Sequence, residues 1–482
     1  MAVRRSVAFL AVTALLAGCG GGGGGGSSGA TATGGSPTTG TPTPTVAAGC
    51  TLRERQDWVA AQMREWYLFP DTLPTSLDPT PYGSVDTFLD ALTATARAQR
   101  KDRYFTYLTS IKEETAYYTS GSSAGFGWRL GLDSNTRLYV TEAFEGAPAL
   151  AAGIDRGAEI LAIGTSASNL RTVGSLYNAG GNALADALGP DTTGTTRSFQ
   201  IRDAAGTRTV SVAKTDFTLT PVSSRYGVQV IADGGQRYGY VNLRTFIYTA
   251  DPALRSAFAQ FRAQGITNII VDLRYNGGGL VRTAELMSNL LGANRNTSEV
   301  MSYTTFRSEK SAENSTTFFA PQPQSVAPTR VAFIGTGGTA SASEFVINAF
   351  IPYLHANAAL IGTNTYGKPV GQIALDRAAC DDRLRVIAFA LQNAARQGAY
   401  YDGLANTVEA SCRAADDLAY PMGDPREAST RSALDFLQGK SCTRIGASAS
   451  AEARALSAPV TRVALTPSGE MSTAQREVPG LF

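Results

Sequence analysis

Between Cys50 and Tyr118 apolar residues recur at steps of three and four, with Leu52, Trp58, Val59, Met63, Trp66 and Tyr67 in one series. That period predicts an amphipathic helix. A second helix is expected over 85–99, capped by Ser84, with Phe88, Leu89 and Leu92 on its apolar face. Residues 49–118 thus read as a small helical N-terminal domain. From 119 to 218 the texture turns to short alternating segments, such as 137–141 and 198–202, broken by Gly and Asp. Such alternation predicts a β-rich domain. Over 219–446 near-continuous apolar strands at 238–243, 266–273, 331–334 and 359–361 alternate with helices at 252–264, 280–291 and 343–350. The expected class is α/β, with a mostly parallel-sheet core. Residues 447–482 are rich in Ala, Ser, Thr and Pro and read as a poorly ordered, low-complexity tail.

The N-terminus changes the picture. Arg4 and Arg5 precede the apolar run Val7–Leu16, which is too short to span a bilayer but fits a signal-peptide core, giving a signal over 1–18. Leu16-Ala17-Gly18-Cys19 resembles the bacterial lipobox. The resemblance implies cleavage before Cys19, lipidation of that residue and membrane attachment through the lipid; an ordinary secretory signal is the alternative. The Gly-rich 19–48 stretch suits a flexible tether. Gly20 after the cysteine implies, in Gram-negative lipoproteins, sorting to the outer membrane facing the periplasm.

Lys and Arg number 42 against 40 Asp and Glu, which argues against a nucleic-acid partner. Four cysteines beyond Cys19 suggest two disulfides in an exported chain, with three possible pairings. Their clustering favours Cys380–Cys412 and Cys50–Cys442. A four-cysteine zinc site is disfavoured because no Cys-x-x-Cys spacing occurs. With His355 as the one histidine, multi-histidine metal sites are excluded and one candidate base remains for a Ser-His-Asp arrangement. It sits in the 352–355 loop, where a surface or packing role is expected.

Within the β-rich segment, Tyr139–Ile154 followed by Gly157–Ile163 resembles a PDZ domain. A strand leads to a short helix opened by Pro148 and stopped at Gly153, and then to another strand. Upstream, Gly125-Phe126-Gly127-Trp128 stands where such domains bind a carboxylate. Glycines there let backbone N–H groups converge on an anion while the next strand edge accepts a peptide. Ala158 departs from the usual Asp. A β-rich domain without peptide binding is the plainer alternative.

Three loops carry candidate chemistry. Asp272–Leu280 places Gly277-Gly278-Gly279 between a strand and a helix, where close backbone approach and unpaired N–H groups suit an oxyanion, or merely a tight turn. In Gly337–Phe345, the Ser341-x-x-Glu344 spacing fits a capping box. The same position sets the Ser341 hydroxyl beside the positive end of a helix, where a developing oxyanion is stabilised. In Thr365–Gln372, Lys368 can act as a base if burial keeps it neutral. Gln372, four residues on, can orient it without adding a charge.

Together these loops resemble the C-terminal processing (tail-specific) serine protease family, over roughly 119–435. The matching patterns are Asp272–Gly279, Ser341–Glu344 and Gly367–Gln372. The resemblance implies an inserted PDZ domain, Ser341 as nucleophile, Lys368 as general base, Gln372 as its orienting partner, and an oxyanion hole from the N–H groups of Gly278 and Ala342. It implies polypeptide substrates engaged through C-terminal segments, and no metal or other cofactor. Gly277 in place of Pro, Pro369 in place of Gly, and a 27-residue gap from Ser341 to Lys368 are departures; none removes a reacting group. Ser343 is the second candidate nucleophile. The alternative function is a non-catalytic, peptide-binding scaffold or chaperone, and the helical segment offers a surface for a homo-oligomer.

Overall fold

The four central strands of the core sheet are buried on both faces along most of their length, which is why they read as near-continuous apolar runs. The structure is a computed structural model and describes residues 48–446 and 462–482. The expected signal, Cys19 and nearly all of the 19–48 tether lie outside the described residues. In spatial order the core sheet runs Val228–Asp233, Gln236–Asn242, Asn268–Asp272, Arg330–Gly335, Ala358–Gly362 and Ala410–Arg413. All its pairings are parallel except the first, which is antiparallel. Helices Ala250–Ala263, Val281–Leu290 and Ala342–Leu354 cover one face through Phe258, Met287 and Phe350, which cluster with Val271 and Phe333. Ala428–Leu437 covers the other, with Leu434 in the cluster of Ile270 and Ile334.

Beyond that sheet, pairing is mostly antiparallel, which corrects the expectation of a mostly parallel protein core. Tyr107–Ser110, Val300–Phe306, Ser315–Phe318, Val370–Arg377 and Asp382–Gln392 form a second, wholly antiparallel sheet. The N-terminal helices pack on it. Leu52–Trp66 opens with a Thr51–Glu54 capping box and Val85–Ala98 is capped by Ser84. Their buried Val59, Met63, Phe88 and Leu89 cluster with Leu384, Val386 and Ile387.

The disulfides are Cys50–Cys380 and Cys412–Cys442, with Cα atoms 5.5 and 5.4 Å apart. The pairing expected from clustering is therefore incorrect. Chain distance misled it, because the second sheet carries Cys380 to the start of the first helix.

The β-rich segment folds as an antiparallel sheet in the order Val463–Ala464, Trp128–Leu132, Leu138–Ala143, Glu159–Gly164, Thr196–Asp203 and Gly206–Ala213. Pro148 opens the expected short helix, Pro148–Ala151, and Gly153 follows it at φ +75°. Trp128 and Phe199 meet edge to face in its core, with centroids 4.8 Å apart. The first strand of this sheet comes from the far end of the sequence. The segment read as a poorly ordered tail instead packs over 462–482, with Val478, Leu481 and Phe482 buried. Its apolar residues are too few and too scattered to show a period, and their partners are remote in the chain.

Candidate active site

Asp272 ends its strand as a buried carboxylate. It accepts from Tyr240 Oη at 2.7 Å and from Arg274 Nε at 2.9 Å, while Arg274 forks onto Glu427 at 2.9 Å. This network fixes the turn that follows. Asn276 Nδ2 donates to Leu243 O at 2.8 Å, and Gly278 N donates to Asn276 Oδ1 at 2.9 Å. Gly278 sits at φ +124°, and a Cβ there would lie 2.8 Å from Ser341 Cβ and 3.2 Å from the Ser341 hydroxyl. Only glycine lets the two loops come this close.

Ser341 stands between the strand Arg330–Gly335 and the helix Ala342–Leu354, at φ 56° and ψ −115°. Positive φ is costly for a residue with a Cβ and marks a position held by its surroundings. Ala340 N and Ser343 Oγ both donate to Asn276 O at 3.0 Å. Ser343 is fully buried and its hydroxyl is occupied by that bond, whereas Ser341 is a partly exposed residue. The Ala342 N–H takes no partner among the described residues. The Gly278 N–H, also assigned to the hole, is turned to Asn276 here.

Lys368 lies beside Ser341. The Glu344 carboxylate accepts from Ser341 N at 3.0 Å and from Lys368 N at 2.7 Å on one oxygen, and from Gly367 N at 2.7 Å on the other. Glu344 is wholly buried, and burial pushes its pKa up against these amide bonds. Sequence reasoning saw it only as half of a capping box. Lys368 Nζ donates to Gln372 Oε1 at 3.0 Å, as the spacing suggested, and Gln372 Nε2 donates to Phe105 O. The Lys368 side chain keeps partial solvent contact, yet protein crowds the nitrogen. That desolvation lowers the lysine pKa, against the opposing pull of Glu477 and Asp102. In this structure the amine is bonded to Gln372 and not to the Ser341 hydroxyl.

His355 follows the far end of the helix that Ser341 opens, so about 20 Å of helix axis separates them. Its exposed ring bonds Glu409 at 2.7 Å. It is not part of this site.

The other predicted loop meets a peptide segment. Gly127 N and Trp128 N both point at Phe482 O, at 2.9 and 3.4 Å, and Phe126 and Trp128 are buried beneath. Gly125 is at φ +156°, and a Cβ there would lie 2.7 Å from the Phe482 carbonyl carbon.

Residues 237–395, which hold all three loops, match the model of peptidase family S41, and residues 54–107 match that of the S41 N-terminal domain. The chain is 29% identical over 271 residues to carboxyl-terminal-processing peptidase 3, chloroplastic, of Arabidopsis thaliana, covering 55% of this chain and 49% of that one. It is 29% identical over 253 residues to a carboxyl-terminal-processing protease of a Picosynechococcus species, covering 52% and 55%. It thus spans about half the length of these relatives. A crystal structure of an S41 protease candidate from Bacteroides fragilis superposes with a TM-score of 0.62 at 23% identity, over 79% of this chain and 97% of that one, so the fold is shared. Residues 237–395 and 54–107 are thus similar to the peptidase domain and the N-terminal domain of family S41, and the three loops fall within the first of these segments.

Proposed function

We propose that the chain is a serine endopeptidase that cuts unfolded or C-terminally tagged polypeptides with Ser341 as nucleophile and Lys368 as general base. The observation carrying this reading is the Glu344 carboxylate, which holds the main chains of Ser341 and Lys368 on a single oxygen at 3.0 and 2.7 Å. The lysine nitrogen swings from Gln372 to the serine hydroxyl and takes its proton as Oγ attacks the peptide carbonyl. The oxyanion forms against the Ala342 N–H, and against Gly278 once that amide turns from Asn276. Lys368 then protonates the leaving amine, and water releases the acyl group.

The β-rich domain is read as a PDZ module. Its glycine loop, 125–128, and the edge strand Trp128–Leu132 receive a substrate segment by strand addition. Cys19 is read as a lipid anchor that keeps the chain at the cell envelope, facing the periplasm. Ser341→Ala and Lys368→Ala are each expected to cut hydrolysis of an unfolded protein by on the order of 10⁴-fold or more, with the fold intact by circular dichroism. Undiminished cleavage by either purified variant rejects the assignment. Cys19→Ser is expected to move the chain from the membrane to the soluble fraction of its host cell; retention in the membrane rejects the anchor.

One observation favours a second reading, a peptide-binding protein with a silent core: Gly278 N is engaged by Asn276, and Lys368 is uncoupled from Ser341. Covalent capture of Ser341 by a fluorophosphonate separates the two, since a silent core leaves the serine unlabelled.

A further inference from the structure

The open edge of the β-rich domain is already filled. Val463–Ala464 pairs antiparallel with residues 131–132, and Leu481 bridges Arg129 on the same edge. Phe482 N donates to Trp128 O at 3.1 Å, and Leu130 N donates to Gly480 O at 2.8 Å. With the two bonds to Phe482 O, the strand from Gly127 to Leu130 is matched by the backbone of 480–482. Bonds of this kind give affinity without side-chain preference. Preference comes from the pocket, where the Phe482 ring is buried in one cluster with Phe126, Leu176, Leu184 and Leu188.

The same segment reaches the catalytic loop. Its short helix, Thr473–Glu477, ends where Gly277 N donates to Glu477 O at 2.9 Å, one residue before Gly278. Tyr118 Oη donates to Glu477 Oε1 at 3.0 Å. A cavity of about 1150 Å³ flanks the segment, bounded by Ser122, Ala124, Ala185, Gln475 and Phe482. The segment is therefore packed on one side and open on another.

We propose that residues 473–482 are a resident ligand of this peptide edge, and that a substrate strand bearing an apolar aromatic residue competes with them for the same amides and the same pocket. This rests on the peptide-binding reading of the edge given above. An occupant on the same chain acts at an effective concentration of up to millimolar order, so an external peptide binds the intact chain weakly.

The test uses a fluorescent Val-Pro-Gly-Leu-Phe peptide, with its C-terminus free or amidated, and the full chain beside two variants. One variant stops after Ser472; the other is Phe482→Asp, which places a charge in the apolar pocket, loosens the grip of 480–482 on the edge and leaves the sequence of 473–481 unchanged. Peptide affinity is expected to rise tenfold or more in Phe482→Asp, and as much or more in the shortened chain if that folds. Equal affinity in the full chain and in folded Phe482→Asp, including no binding to either, overturns the proposal. Fluorophosphonate labelling of Ser341 in the same samples reports separately on hydrolysis: tighter peptide binding without labelling would remove the protease reading and leave the resident ligand standing.

Discussion

At the scale of residues, the proposed reaction depends on the state of one amine. Burial lowers the Lys368 pKa while Glu477 and Asp102 raise it. A base acts in its neutral form, so the rate is expected to climb with pH through an inflection below that of free lysine. Glu477→Gln removes one of the charges that favour the ammonium form, and its inflection is expected at lower pH than that of the parent. Measuring kcat against pH for both chains checks this; an unmoved or higher inflection contradicts it. Ser341, Lys368 and Gln372 were legible in the sequence because each lies in a short local pattern. Glu344 was visible only as a cap, since its bonds to Gly367 and Lys368 cross 23 and 24 positions of sequence. Glu477 and Phe105 were not legible at all: nothing local marks a residue whose role is set by a partner 109 or 267 positions away.

At the scale of elements, strands buried on both faces and strands with clear alternation, such as Thr196–Asp203, were found, and short polar strands were not. Ile269, Ile270 and Val271 are wholly buried and read as a strand without help. Ser315–Phe318 is mostly exposed and polar, so neither periodicity nor composition announced it. The second sheet therefore went unseen, and with it the route that brings Cys380 to Cys50. That disulfide ties the first helix to the sheet it covers, across 330 positions of sequence. Reducing it is expected to remove about 2–4 kcal/mol of stability, by releasing a long loop in the unfolded chain. Urea unfolding of Cys50→Ser/Cys380→Ser against the parent measures it, and an unchanged midpoint would show that the bridge adds nothing to stability.

At the scale of the whole molecule, the β-rich domain is locked to the core by buried charge. Glu142 accepts from Arg244 Nε at 2.6 Å and pairs its other oxygen with the Arg129 guanidinium, Nε lying 3.0 Å away, and all three side chains are about 1% exposed. Arg129 Nη1 also donates to Tyr275 O, at the start of the glycine turn. Removing the shared carboxylate leaves two guanidinium groups buried with less compensation. Glu142→Ala is therefore expected to cost about 3–5 kcal/mol, more than breaking an exposed pair. Thermal melting beside Asp57→Ala, which breaks the exposed Arg53–Asp57 pair at 2.8 Å, tests this; equal losses would show that the junction is not held by charge.

The position of Glu477 carries one more consequence. The segment that fills the strand edge also carries the carboxylate that pulls the Lys368 pKa upward against the effect of burial. If an incoming strand lifts that segment away, admission and priming become a single event: the arriving polypeptide clears its own berth and, by the same displacement, sharpens the base that will cut it.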